Sequence, residues 1–106
     1  MSFRVDFSDE AIVQIDEFFE YLARYSEGIA EKYYAAFQQA IDYYLVNYPE
    51  TFTFYKETGS PYRAFLFTVS QRTSYWIIYR VYEEKRLVRV FRFWNSARKP
   101  HSHRLI

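Results

Sequence analysis

The apolar residues of this 106-residue chain change period once, and that change limits the fold more than any single motif. As far as about residue 47 they recur every three or four positions, the spacing of one stripe on a helix. From Tyr62 onward they come in short runs of β-branched and aromatic residues, the pattern of strands. Such a chain is expected to segregate helices from a mostly antiparallel sheet, which is an α+β fold.

In chain order, Phe3 to Phe7 alternates as Phe, Arg, Val, Asp, Phe and predicts a short strand with one apolar face. Ser8 stands just before a periodic run, where its hydroxyl can cap a first helical turn, and Asp9 and Glu10 suit the helix dipole. Ala11, Ile12, Ile15, Phe18, Phe19 and Leu22 form the stripe of a first helix ending near Tyr25, with Ser26-Glu27-Gly28 as a turn. Ile29, Tyr33, Ala36, Phe37, Ala40, Ile41, Tyr44 and Leu45 form that of a second, from about Ile29 to Asn47. So short a turn predicts an antiparallel helix hairpin. Residues 48–61 read as a loop carrying Lys56. Three strands follow: Tyr62 to Val69, Ser74 to Tyr82, and a last one from Leu87 to Trp94. Short turns join them into a three-stranded antiparallel β-meander with the helices on one face of the sheet. Tyr75 to Tyr79 is nearly continuous in apolar residues and is expected to be buried on both faces.

Nothing divides the chain, so residues 1–106 are expected to form a single domain, with 95–106 as a basic C-terminal tail. Aromatics make up 24% of the residues, 12 Tyr and 11 Phe among them. Chains this aromatic fold, and the surplus over one small core predicts aromatic side chains on the surface. Cysteine is absent, which excludes disulfides and thiolate metal sites and fits a cytoplasmic protein. No apolar run approaches the roughly 20 residues of a membrane span, and the N-terminus lacks the apolar region of a signal peptide.

The net charge of +1 hides an asymmetry. Residues 1–50 carry ten acids against three cations, and residues 51–106 carry eleven cations against three acids. The basic half therefore suits a polyanion or an acidic protein, or else lies against the acidic half. Arg63, Arg80, Arg89, Arg92 and Arg98 are interleaved with Tyr62, Tyr79, Phe91 and Trp94, a combination that suits phosphate contacts and base stacking. It equally suits arginines snorkelling over a core. Strict alternation places Arg89 and Arg92 on opposite faces of the last strand. Arg63, Arg92 and Arg98 are expected to share one basic surface. His101 could serve as a general acid or base, as histidines do near neutrality, although a terminal tail holds such a group poorly. No phosphate loop, HExxH or metal-ligand set is present, and no cofactor is expected.

The stretches VDFSDEAIVQIDEFFEYL and SYWIIYRVYEEKRLVRVFRFWNSARKP, in this order and spacing, resemble the RelE/ParE superfamily of toxins from bacterial type II toxin–antitoxin modules. The resemblance covers nearly the whole chain. It implies a growth-inhibiting toxin neutralised by a cognate antitoxin, as a possible homodimer or a heterotetramer with that antitoxin. One branch of the superfamily cleaves messenger RNA on the ribosome. For that branch the resemblance carries over Arg63 and Arg98 as catalytic residues, with His101 as the candidate from the tail to move protons. Lys56, Arg80, Arg92, Trp94 and Lys99 remain as residues for partner or nucleic-acid binding. Trp76 stands where RNA-cleaving members often carry an arginine, and no Tyr follows Trp94. These departures favour the ParE-like branch, whose members poison DNA gyrase without a known hydrolytic centre. The ribosome-dependent endoribonuclease is the alternative, and an inactive relative that only binds an antitoxin is a second.

Overall fold

The computed structural model describes residues 2–55 and 61–97. Strand β1 (Arg4–Phe7) leads into helix α1 (Asp9–Tyr25), and helix α2 (Glu27–Ala40) runs on into a π-helical turn (Ile41–Val46). Strands β2 (Tyr62–Ser70), β3 (Thr73–Tyr82) and β4 (Leu87–Asn95) complete the sheet, in the order β1-β4-β3-β2. The three later strands form the expected antiparallel meander, and β1 joins it parallel to β4. Both helices pack on one face of this sheet. The α+β layout read from the change of period is therefore the one observed.

Local chemistry explains the boundaries. Ser8 accepts a hydrogen bond from the Ala11 N–H at 3.1 Å and so caps α1. Ser26 ends α1 by donating its N–H to the Leu22 carbonyl, and its side chain accepts from the Ile29 N–H. One extended serine thus closes the first helix and opens the second, so α2 starts at Glu27 rather than Ile29. Between β3 and β4 a 3₁₀ turn (Glu83–Lys85) ends on Arg86, which adopts a left-handed backbone at φ 49°.

The main core lies between helices and sheet. Ala11, Ile15 and Phe18 of α1 and Phe37, Ile41 and Leu45 of the second helical segment meet Phe65, Phe67, Ile77, Tyr79, Val88, Val90 and Phe93 of the sheet. The helical stripes are narrower than their periodicity predicts: Ile12 and Ile29 are 44% and 46% exposed. Ile77, Ile78 and Tyr79 are buried on both faces of β3, whereas Tyr75 and Trp76 are half-buried near its start.

The last strand departs from strict alternation. Arg89 pairs with Arg80 and Arg92 with Ile78, while Val90 pairs with Tyr79. Phe91 is therefore the extra residue of a β-bulge. Arg80 and Ile78 are two apart on regular β3 and share a face, so Arg89 and Arg92 share it too. The placement of these two arginines on opposite faces is corrected by that one added residue.

Candidate binding surfaces

The sheet face turned away from the helices carries its own small cluster. Tyr55, Ala64 and Ile78 are buried there, with Tyr62 and Trp76 packed around them. Even-numbered β3 residues point to this face, so Arg80 and Tyr82 lie on it, and Arg89 and Arg92 join them from β4. The Arg80 guanidinium lies 4.6 Å from the Tyr82 ring centre, and that of Arg89 lies 5.9 Å from the same ring. Each contact is of the cation–π kind.

Two of these arginines also bind the acidic first third of the chain. Arg89 forks onto the Asp6 carboxylate of β1, Nε at 2.8 Å and one terminal nitrogen at 3.0 Å. That hydrogen bond holds the Asp6 carboxyl below its ordinary pKa and raises Arg89 above its own. Arg92 pairs with Glu10 in the first turn of α1, and its guanidinium lies 6.0 Å from the Trp94 ring. Asymmetric charge along the sequence is thus partly neutralised within the fold, at the β1–β4 seam.

Arg63 is elsewhere. It pairs with Tyr79, on the face that meets the helices, so it does not share a surface with Arg80 or Arg92. The expected grouping of Arg63 with Arg92 is corrected by strand parity. Its guanidinium donates to the carbonyls of Phe52 at 2.5 Å and Glu50 at 3.4 Å and lies 4.3 Å from the Phe54 ring. Beside it the buried Tyr79 hydroxyl donates to the Pro49 carbonyl at 2.5 Å. Burial raises the Tyr79 phenol well above its ordinary pKa, against the pull of Arg63. These two side chains fasten the segment after α2 to the sheet. Arg98, His101, Lys56 and Lys99 lie outside the described residues. Among the sites read from sequence, Arg80, Arg92 and Trp94 come together on the open face and Arg63 is separated from them.

Two grooves of about 700 Å³ flank the helices. One lies between α1 and the ends of β3 and β4 and is walled by Gln14, Phe18, Tyr21, Tyr75 and Trp94. Here β1 has already turned away, and the Phe93 N–H at the exposed edge of β4 donates to the Gln14 side chain at 2.8 Å. Tyr21 and Tyr25 stand exposed nearby, ring against ring, their hydroxyls 3.3 Å apart. The other runs between β1 and α2, along Val5, Phe7, Phe37 and Ile41. Sequence reasoning missed Gln14, since a glutamine on a wet helix face gives no sign of an edge partner. It also missed Glu50 and Glu83. The two carboxyls share a hydrogen bond in which Glu83 donates and Glu50 accepts, and this raises the Glu83 pKa.

Among the described residues, no three His, Cys, Asp or Glu side chains converge as metal ligands do, and no helix is long and apolar enough to cross a membrane. No curated protein matches the chain. A family model described as the ParE toxin of the type II toxin–antitoxin system matches residues 5–100, from β1 to beyond the end of β4. With a match over nearly the whole chain and the fold in agreement, the protein belongs to the ParE toxin family of type II toxin–antitoxin systems.

Proposed function

We propose that this toxin inhibits growth by binding DNA gyrase in the cytoplasm, without hydrolytic chemistry of its own, and that a cognate antitoxin neutralises it. The observation that carries the reading is the position of Arg63. Its guanidinium is committed to the Phe52 and Glu50 carbonyls and faces away from Arg80 and Arg92. A phosphate gripped by Arg80 and Arg92 would have no help from it in stabilising a transition state. A binding toxin needs exposed apolar anchors instead. Ile12, Tyr21, Tyr25 and Ile29 supply them on the helix hairpin. The antitoxin segment occupies the groove beside α1, where the edge of β4 and the aromatic wall of Phe18, Tyr21 and Tyr75 offer backbone and side-chain contacts together. Toxin and antitoxin assemble as a heterotetramer or around a toxin homodimer.

The test is expression without the antitoxin, with growth, gyrase-linked DNA breaks and messenger RNA cleavage followed side by side. Growth arrest with DNA breaks that disappear in a gyrase-resistant host is the expected result. Cleaved messenger RNA with intact DNA would replace this reading by the ribosome-dependent endoribonuclease. Unimpaired growth with antitoxin binding retained would leave an inactive relative.

A further inference from the structure

The open face of the sheet is organised in cross-strand rows. Leu66 and Trp76 face each other in one row, Ala64, Ile78 and Arg92 in the next, then Tyr62, Arg80 and Arg89, and beyond them Tyr82 and Leu87 beside Arg4. Rows two residues apart on a strand are about 6.7 Å apart. Aromatic rings and guanidinium groups therefore stand side by side along the face, around the apolar patch at Ile78. The described helices pack on the other side. Arg4 is exposed, Leu66 is 47% exposed, and the Arg89 side chain keeps 41% of its surface. Among the described residues of these rows, Asp6 and Glu10 pair with Arg89 and Arg92, and Arg4 and Arg80 add two further positive charges.

A sheet face that presents rings beside cations suits single-stranded nucleic acid, whose bases stack while its phosphates meet the cations. An acidic peptide would use the arginines and leave the rings idle. A duplex would hide its base faces. We propose that the open sheet face, through Arg4, Trp76, Arg80 and Tyr82, binds single-stranded nucleic acid without cleaving it and without sequence preference. The inference goes beyond action on gyrase and does not require it, and it uses the face opposite to Arg63.

The experiment is titration of the full chain with a fluorescent 20-nucleotide oligo-dT and with oligo-rU at several salt concentrations. A duplex of the same length and poly-aspartate serve as the other arms. Expected are binding of the single strands that weakens linearly with the logarithm of salt, quenching of tryptophan fluorescence, and weaker binding of duplex and poly-aspartate. Tyr82→Leu should lose roughly tenfold in affinity and Tyr82→Phe should keep it, since only the ring is needed. Arg80→Ala should weaken all single strands alike and lower the salt slope by about one. Equal affinity for oligo-dT and oligo-rU supports a face that reads neither sugar, and a preference for one assigns the source. No binding at low salt would overturn the proposal. So would affinity for poly-aspartate equal to that for oligonucleotide, or a folded Tyr82→Leu that binds unchanged. Circular dichroism of each variant separates loss of the fold from loss of the site.

Discussion

The hydroxyl of Tyr79 donates to the carbonyl oxygen of Pro49 at 2.5 Å, across thirty residues of chain. Tyr79 is fully buried at the centre of β3, and Pro49 lies just past the π-helical turn. Replacing Tyr79 by Phe keeps the ring and strands a buried carbonyl. The expected loss is about 1–2 kcal/mol, or a Tm lowered by roughly 5–10 °C in a domain of this size. The same phenol sets an alkaline limb. Its folded pKa is raised, so the folded chain keeps a proton that the unfolded chain gives up above about pH 10. Stability contributed by the neutral phenol is present below that pH and falls as pH rises beyond it. Denaturant melts between pH 8 and 11 should show a shallower alkaline decline in Tyr79→Phe than in the parent.

One terminal nitrogen of Arg63 donates to two carbonyls, at 2.5 Å and 3.4 Å, while the guanidinium lies against the Phe54 ring. A lysine offers a point charge and cannot reproduce that geometry. Arg63→Lys is expected to destabilise by about 1–2 kcal/mol and to reduce growth inhibition only as far as the folded population falls. Thermal melts and growth assays on the same preparations check this. A variant that melts like the parent and yet loses all toxicity would make Arg63 a working residue of the site.

The Asp6–Arg89 pair ties β1 to β4 on the basic face. The folded pKa of Asp6 is lowered, so its contribution is present above about pH 4, the unfolded value, and is lost as pH falls through the folded one. Both side chains are more than a third exposed, which keeps the contribution below about 1 kcal/mol. Asp6→Asn should therefore be slightly less stable than the parent at pH 7, and the two should converge near pH 2. Chemical denaturation at both pH values measures it, and a gap that persists at pH 2 would assign the effect to packing.

The elements were legible where local chemistry decides them. Ser8 announced its cap because a serine oxygen before a periodic run has few other uses, whereas Ser26, which reads as part of a turn, also proves to cap α2. Stripes through Ala11, Ile15 and Phe18 and through Phe37, Ile41 and Leu45 announced which faces are buried. The binding surface was less legible, because it depends on counting by twos. One bulge at Phe91 moves Arg92 to the face of Arg89, and no residue type in RVFRFW marks the bulge. Burial of Tyr79 and the contact of Gln14 with the Phe93 N–H join segments 30 and 79 residues apart. Such contacts exist only once the helices have found the sheet.

The end of the fold sets the last prediction. Asn95 still pairs with Tyr75, and Ser96 donates its N–H to the Ser74 carbonyl at 2.9 Å, with the two serine hydroxyls 2.9 Å apart. Ala97 donates to the Asn95 side chain. The fold therefore includes residues 95, 96 and 97, the first three of the tail that composition marks off. Residues 98–106 hold Arg98, Lys99, His101, His103 and Arg104, and only Leu105 and Ile106 are aliphatic. So little apolar surface stabilises weakly even if fully buried, at ~25 cal/mol per Å². A chain cut after Ala97 should keep its Tm within a few degrees and, if the proposed role of the basic segment in target binding holds, lose growth inhibition. A chain cut after Asn95 should lose the Ser74–Ser96 bonds as well and melt several degrees lower than the longer one. Calorimetry and growth assays on both truncations decide the matter. Failure of the Ala97 cut to fold would make the tail structural, and full toxicity would remove Arg98, Lys99 and His101 from the target-binding surface.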